Sequence, residues 1–172
     1  MSKEPILETE RLILRPITLD DAAACFSWNS DERVAKYMSY PTLTDISQTI
    51  DWIKSTLTDE KEYNFAFVLK KENKVIGTGP SSKLEGYWGM GYNLHFDYWH
   101  KGYCTEAMKA IIDYVHKELG VNRICSCHAV DNPRSGKVME KCGLKFDHYD
   151  EITKYDNSAT FKAKAYVMEI KE

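Results

Sequence analysis

Long apolar runs and an excess of charge of either sign are both missing from this 172-residue sequence. The uncharged apolar runs cover only a few residues each, and the N-terminal sequence MSKEP has no apolar segment, so we expect neither a membrane span nor a secretory signal. The 23 Lys and Arg residues nearly balance the 26 Asp and Glu residues, which gives a formal net charge of −3. We therefore expect a cytoplasmic protein that binds neither nucleic acid nor a membrane.

Cysteine, glycine and proline are also sparse. The five cysteines are an odd number in a chain large enough to fold without covalent cross-links, which favours reduced thiols over a disulfide framework. No stretch rich in Gly, Ser or Pro divides the chain, and no internal repeat is found. With 43% hydrophobic residues, the sequence predicts a single domain over residues 1–172 with one sizeable core.

Apolar periodicity predicts an α/β fold with the element order βααβββαβαββ. The predicted strands cover residues 11–17, 65–70, 74–79, 90–96, 123–130, 146–153 and 161–170. The predicted helices cover residues 18–29, a segment around 46–57, 105–119 and 133–142.

This order predicts a mixed β-sheet flanked by helices. Strands 65–70 and 74–79 should pair as an antiparallel hairpin, whereas strand 90–96, helix 105–119 and strand 123–130 should form a right-handed βαβ unit with parallel strands. Ligands of such sheets bind at the carboxyl ends of the parallel strands. The two segments that leave those ends are therefore the candidate sites.

The first segment, residues 99–107 (WHKGYCTEA), places a glycine turn directly before a helix. Backbone N–H groups and the positive end of the helix dipole make such a turn a site for phosphate oxygens. Gly102 allows close approach of the backbone, and Lys101 or the Thr105 hydroxyl would add a donor. The alternative is an ordinary turn with a helix cap.

The second segment, residues 132–144 (NPRSGKVMEKCGL), opens another short helix. Asn132 and Ser135 lie at the helix entrance, and a cationic stripe formed by Arg134, Lys137 and Lys141 follows one face. In the alternative, the two polar residues only cap the helix and the charges form a solvated face.

Three residues of strand 123–130 are of the types that bind metal ions. Side chains alternate along a strand, so His128 faces away from Cys125 and Cys127. We expect packed thiols there and no metal.

These segments, in this order, resemble the GNAT N-acetyltransferase superfamily, and in particular its ribosomal-protein N-terminal acetyltransferase branch, the RimJ/RimL type. Residues 9–16 (TERLILRP) are similar to the first strand of that branch, and residues 91–94 (GYNL) with 98–107 (YWHKGYCTEA) are similar to its acetyl-CoA segment. Residues 132–144 are similar to its N-x-x-S signature and the glycine that closes the helix. The resemblance covers nearly the whole chain.

The resemblance implies a GNAT-type fold and direct transfer of acetyl from acetyl-CoA to a primary amine, either a protein N-terminal α-amine or a small amine. It places acetyl-CoA in a V-shaped opening between the parallel strands, with no metal, and makes a homodimer plausible. Asn132 would hold the pantetheine arm, and Ser135 would lie near the thioester sulfur. The cofactor-binding residues implied in this way are Leu94, His95, Lys101, Gly102, Cys104, Thr105, Asn132 and Ser135.

Four positions depart from the pattern of the wider superfamily, and one of them, Trp99 in place of Gln or Arg, is compatible with the RimJ/RimL branch. Gly89 stands where a glutamate often serves as base, Cys104 stands where Gly or Ala is usual, and Met139 stands where many members have a tyrosine that protonates the thiolate. These departures leave open an alternative function, a weakly active or inactive CoA-binding module.

Two catalytic residues are expected. Ser135 would donate a hydrogen bond to the departing sulfur. His95 is the candidate base, because histidine titrates near neutral pH and residue 95 lies toward the end of the predicted strand, with Asp97 or water as alternatives.

Overall fold

The computed structural model describes residues 4–171. Its strands are β1 (Leu7–Glu8), β2 (Leu12–Pro16), β3 (Glu62–Leu69), β4 (Lys74–Leu84), β5 (Tyr87–Met90), β6 (Asn93–Leu94), β7 (Arg123–Ala129), β8 (Lys145–Thr153) and β9 (Thr160–Glu169). Its helices are α1 (Ala22–Asn29), α2 (Glu32–Ala35), α3 (Ile46–Thr58), α4 (Tyr103–Leu119) and α5 (Pro133–Lys141), with 3₁₀ turns at Leu19–Asp21 and Phe96–Tyr98. Within these residues, no helix is long and apolar enough to cross a bilayer.

The strands form one mixed sheet in the order β1-β2-β3-β4-β5-β7-β9-β8, and β6 also pairs with β4. The predicted α/β class, a mixed sheet with flanking helices, is confirmed. Strands β3 and β4 form the predicted antiparallel hairpin, and β5, α4 and β7 form the predicted parallel βαβ unit. The first strand of that unit is shorter and lies earlier in the chain than predicted: it covers Tyr87–Met90, whereas the predicted strand covers residues 90–96.

The predicted strand 90–96 is divided into β5 and β6, and Pro80 explains the division. Met90 faces Ser81 and Asn93 faces Thr78, so the register against β4 does not slip. Between these pairs, Gly91 donates its N–H to the Pro80 carbonyl at 2.8 Å, but proline has no N–H to return the second bond of the pair.

Strand β7 separates from its parallel neighbour at the same place. Its described pairing with β5 covers only Trp88↔Ile124 and Gly89↔Cys125, whereas its pairing with β9 continues as far as Ala129. The sheet is therefore open between β6 and the carboxyl end of β7.

Two hydrophobic clusters pack the helices onto the sheet. The larger cluster contains the buried face of α4 and includes Met108 and Ile111, and the smaller one joins α1 and α3 through Trp28 and Ile53. Strand β3 is buried along most of its length, as expected for a strand covered on both faces. A β-carbon at Gly79 would lie 3.0 Å from Ile111 Cδ1, so this glycine lets α4 approach β4 closely.

Candidate functional site

A cleft of about 390 Å³ opens where β6 and β7 diverge. This volume lies within the range of about 300–1,000 Å³ that is typical of small-molecule sites. The cleft is lined by Arg33, Val34, Tyr37, Met38, Tyr92, Asn93, Leu94, Trp99, His100, Gly102, Tyr103, Cys104, Thr105, Asn132, Arg134, Ser135, Lys137, Val138 and Lys141. Both segments singled out in the sequence thus meet at one opening.

The turn before α4 presents unpaired backbone amides to this cleft. His100 and Gly102 have left-handed backbones, with φ of 62° and 81°. The first helical bond runs from the Glu106 N–H to the Gly102 carbonyl at 3.0 Å, so the amides of the four residues before Glu106 have no partner within the helix. These amides and the positive end of the helix dipole suit a phosphate group.

Glu106 braces the turn against the loop between β1 and β2. Its carboxylate accepts the Thr9 hydroxyl at 2.7 Å and, from Arg11, the backbone N–H at 2.8 Å and the Nε–H at 2.7 Å. Arg11 also donates to the Lys101 carbonyl at 2.9 Å. Burial alone would raise the pKa of Glu106, but the hydrogen bonds from Thr9 and Arg11 outweigh burial and lower this pKa.

Lys101 is not among the residues that line the cleft, although the sequence suggested it as a phosphate donor. Its ammonium group donates to the Asp97 carbonyl at 2.9 Å. Gly102, Cys104 and Thr105 do line the cleft, and Tyr103, which the sequence reasoning missed, lies between them.

Ser135 reaches the cleft at the first turn of α5 and contacts a tyrosine from the opposite wall. The Tyr92 hydroxyl lies 2.7 Å from the Ser135 carbonyl oxygen and 2.8 Å from Ser135 Oγ. Burial raises the pKa of Tyr92, so its phenol is protonated at neutral pH. Tyr92 belongs to the GYNL segment, but nothing in the sequence indicated its contact with a residue 43 positions away.

Asn132 precedes α5 as its N-cap residue, and its side chain makes no capping hydrogen bond within the described chain. Its carbonyl instead accepts the Ser135 N–H at 3.2 Å, and Pro133 occupies the first helical position. The Asn132 amide is therefore available to a ligand in the cleft that it lines.

A close contact with β7 sets the position of α5. A β-carbon at Gly136 would lie only 2.6 Å from His128 Nε2, so glycine is needed for the helix to lie this near the strand. His128 is buried, and its Nδ1 lies 2.7 Å from the Ala129 carbonyl oxygen. The helix entrance is thereby held beside the end of β7.

The structure does not bring His95 to the cleft. Its Nδ1 accepts the Asp97 N–H at 3.2 Å, and its ring lies edge-on to Tyr98. Its backbone N–H donates to the Ile76 carbonyl at 2.8 Å, so this amide is used inside the sheet rather than offered to a ligand. The sequence placed His95 in a continuous strand, whereas it begins a 3₁₀ turn after that strand.

Leu94 is better placed than His95 to pair with a ligand. Adjacent residues of a strand direct their N–H and C=O groups to opposite sides, so the backbone of Leu94 points away from β4 and toward the opening. Its carbonyl accepts the Trp99 indole N–H at 2.8 Å, which orients that ring at the cleft.

The charged groups that line the cleft are all cationic. Arg134 lies over the Trp99 ring with its guanidinium carbon 4.5 Å from the centroid, and Lys137 and Lys141 follow along α5. Arg33 comes from α2 and is paired with Asp31 at 2.6 Å. No Asp or Glu is among the described residues that line the cleft.

Three of the departures from the family pattern lie in different surroundings: Met139 is in the core, Gly89 is within the sheet, and Cys104 is at the cleft. Met139 is 1% exposed and belongs to the larger core cluster, so its side chain cannot serve in the cleft. Gly89 lies within the sheet and pairs with Cys125 of β7 and Ser82 of β4. Burial raises the pKa of Cys104 to about 12, so this residue is a thiol and a poor nucleophile at neutral pH.

The three potential metal ligands of β7 do not converge on one point. His128 is buried, Cys127 is exposed, and Cys125 is partly exposed, so the expectation that both thiols pack in the core is wrong for Cys127. Residues 4–171 hold no group of three His, Cys, Asp or Glu side chains arranged to bind a metal ion.

Comparison with known proteins gives consistent matches. A profile for an acetyltransferase (GNAT) domain matches residues 11–145. The chain is 33% identical over 170 residues to the uncharacterized N-acetyltransferase p20 of Bacillus licheniformis, and the match covers 95% of this chain and 92% of p20.

Solved structures share the whole fold. An acetyltransferase (GNAT family) from Bacillus anthracis has a TM-score of 0.85 at 26% identity, and the match covers 96% of this chain and 98% of that chain. RimL, a ribosomal alpha-N-protein acetyltransferase in complex with coenzyme A, has a TM-score of 0.84 at 14% identity, over 96% of this chain and 98% of RimL. At this low identity, the likeness to RimL shows the fold alone.

Proposed function

The chain belongs to the acetyltransferase (GNAT) domain family and is an acetyl-CoA-dependent N-acetyltransferase; we propose that its acceptor is the primary α-amine of a peptide or protein N-terminus. One observation carries the assignment of the site. The phosphate-binding turn and the Asn132–Ser135 helix entrance form two walls of one cleft, at the place where the sheet opens.

Each part of acetyl-CoA has a suitable partner in this cleft. The pyrophosphate would bind the amides at Gly102, Cys104 and Thr105. The phosphate on the ribose would bind the cations of α5. The pantetheine arm would pair with the backbone of Leu94 and with the Asn132 side chain. This arrangement brings the thioester toward Ser135.

The reaction is direct attack of the amine nitrogen on the thioester carbonyl carbon. A C–N bond forms, the C–S bond breaks, and a backbone N–H of residues 90–96 that is not used by the pantetheine arm stabilises the negative oxygen that develops in between. The amine gives up one proton to water, because His95, the base expected from the sequence, does not line the cleft. The departing sulfur accepts a hydrogen bond from the Ser135 hydroxyl and takes its proton from solvent through this hydroxyl, which receives one proton as it gives one.

Tyr92 supports this role of Ser135. In the structure the single phenol proton is donated to the Ser135 carbonyl oxygen at 2.7 Å, so Ser135 Oγ is the donor to the phenol oxygen at 2.8 Å. Rotation of the phenol proton onto Oγ would free the serine proton to point at the sulfur. Solvent then restores the proton through the same pair. The tyrosine that many family members carry at position 139 would thus be replaced by a phenol acting through serine from the other wall.

Cleft charge favours a peptide amine over a polyamine. Four lining residues are Lys or Arg, and no described lining residue is Asp or Glu, so a multiply charged cation would find no carboxylate partner. The apolar wall formed by Val34, Tyr37 and Met38 suits the uncharged surface of a peptide. The likeness to the RimJ/RimL branch points the same way.

A panel of amines tests the proposal. The protein is incubated with acetyl-CoA and, separately, with peptides that have free N-termini, the same peptides with blocked N-termini and internal lysine, spermidine, and other small amines. Mass spectrometry should find one added acetyl group on the free N-terminal peptides and much less on the blocked ones. Preferred acetylation of spermidine or lysine would refute the peptide acceptor, and acetyl-CoA binding without transfer to any amine would support the CoA-binding module instead.

A further inference from the structure

A buried lysine anchors one wall of the cleft from a distant part of the chain. Lys154 follows β8 in the turn that leads to β9, and it is 7% exposed. Its ammonium nitrogen donates to the carbonyl oxygens of Ala35 at 2.8 Å, Met38 at 3.0 Å and Tyr40 at 2.7 Å. An ammonium group has three protons, so all three are used.

The three carbonyls belong to residues 35–40, which we name the acceptor segment. This segment follows α2 as a series of turns and supplies Tyr37 and Met38 to the cleft. The Ala35 carbonyl also accepts the Met38 N–H at 3.1 Å, whereas the Met38 and Tyr40 carbonyls accept from the lysine. A helix end leaves carbonyls without helical partners, and here the lysine takes the place of a further turn. The segment therefore depends on Lys154 for its conformation.

The same hairpin turn makes other contacts with the acceptor segment. The backbone N–H of Tyr155 donates to the Ser39 carbonyl at 2.9 Å, and the Phe161 ring lies edge-on to Tyr37 with centroids 5.6 Å apart. From the other side, the Tyr40 hydroxyl donates to the Asn93 side chain at 2.7 Å. The segment is thus fixed between the hairpin and β6.

The charge of Lys154 is held by carbonyl dipoles. Burial lowers the pKa of Lys154, and the Asp156 carboxylate opposes this shift without reversing it. The Phe161 ring centroid lies 5.7 Å from the ammonium nitrogen. Burying a cation costs free energy. Here the bonds of the ammonium group to three carbonyls of one segment offset that cost, and they order the segment.

We propose that Lys154 is a positioning residue that holds the acceptor segment in the shape that receives the amine substrate. This rests on the proposed function, because the acceptor segment lines the same cleft as the acetyl-CoA residues. Lys154 touches neither the cofactor residues nor the reacting atoms and acts only through residues 35–40.

Lys154→Met keeps an unbranched apolar side chain, one heavy atom shorter than lysine, and removes all three donors. We expect the KM for the amine to rise about 10- to 100-fold, because a displaced substrate wall misorients the nucleophile. The Kd for acetyl-CoA, measured by calorimetry, should change less than about twofold, since the turn before α4 and the entrance of α5 are untouched. Lys162→Met, on the exposed side of β9, is the matched control and should behave like the unaltered protein.

Hydrogen exchange supplies a readout that does not need turnover. Amides of residues 36–40 should exchange faster in Lys154→Met, whereas those of residues 103–108 should not change. If Lys154→Met does not fold, Lys154→Arg keeps the charge but cannot direct three N–H groups from one nitrogen, and should show a smaller rise in the KM for the amine.

The proposal and the proposed function fail in different ways. Unchanged exchange and unchanged KM in the lysine variants would overturn the role of Lys154. A parallel rise of the KM for the amine and the Kd for acetyl-CoA would overturn it too, because it would indicate general loosening. Absence of acetyl transfer to any amine by the unaltered protein, with faster exchange at 36–40 in Lys154→Met, would overturn the proposed function but not the role of Lys154 in holding the acceptor segment.

Discussion

Ser135 and Asn132 lie three residues apart at the entrance of α5, yet the site predicts different roles for them. Ser135 is within 2.8 Å of the Tyr92 hydroxyl, whereas the Asn132 side chain makes no capping bond in the described structure and is available to a ligand. A donor to the departing sulfur acts mostly in the transition state, and a residue that holds the pantetheine arm acts equally in the ground state.

Ser135→Ala should therefore lower kcat and kcat/KM together, by about 10- to 1,000-fold, with little change in the Kd for acetyl-CoA. Asn132→Ala should mainly raise the KM for acetyl-CoA. Steady-state kinetics with calorimetry on both variants makes the comparison. Full turnover in Ser135→Ala with weakened cofactor binding would show that the serine only binds or caps.

His95→Ala is expected to keep the pH dependence of kcat/KM. The imidazole accepts the Asp97 N–H and lies against Tyr98, outside the residues that line the cleft, so it cannot take the amine proton directly. Rates measured between about pH 6 and pH 9, on either side of neutrality, test this. Loss of the rising limb in the variant would restore His95 as the base.

The turn before α4 depends on its brace to the loop between β1 and β2. The Glu106 carboxylate accepts bonds from Thr9 and Arg11, which come from a segment about 95 residues earlier. These bonds lower the pKa of Glu106, although burial opposes them. A lowered carboxyl pKa means that the brace stabilises the folded protein above the usual carboxyl pKa and that this stabilisation is lost as the pH falls.

Glu106→Gln should lower the free energy of unfolding at pH 7 by about 1–2 kcal/mol, after allowance for the partly exposed Arg11. The difference from the unaltered protein should shrink below about pH 4.5. Urea unfolding at both pH values measures this. Asp113→Asn, which breaks an exposed pair with Lys117, is the control and should cost less than about 0.5 kcal/mol. An equal loss at low and neutral pH in Glu106→Gln would contradict the charge-based brace.

The whole molecule should gain stability when acetyl-CoA binds, because a ligand specific for the folded state shifts the unfolding equilibrium. At about 100 times its Kd the gain is about 2.7 kcal/mol, which corresponds to roughly 5–10 °C in Tm for a protein of this size. NADH should give no such shift. Differential scanning fluorimetry provides the measurement.

Two glycine variants locate the source of that shift. Gly102→Glu should abolish it, because the side chain and its negative charge would occupy the phosphate turn. Gly86→Glu makes the same substitution at a similar φ of 79°, in an open turn away from the cleft, and should keep the shift. A normal acetyl-CoA shift in Gly102→Glu would show that the phosphate turn is elsewhere.

Many features of this molecule could be predicted from local stretches of its sequence. Strand and helix periods, the glycine before α4 and the Asn132–Ser135 helix entrance are local features, because each depends on residues within a few positions. Their order was enough to indicate the α/β class and the family, and it placed two of the cleft walls correctly.

The remaining features arise from contacts between residues far apart in sequence. Pro80 divides the strand opposite it, and the 3₁₀ turn Phe96–Tyr98, whose N-cap is His95, ends the second part of that strand at Leu94. The contact of Tyr92 with Ser135 and the reach of Lys154 to residues 35–40 exist only after the sheet has assembled. No local propensity encodes such pairs, because the packing of the sheet and its helices determines which distant groups meet.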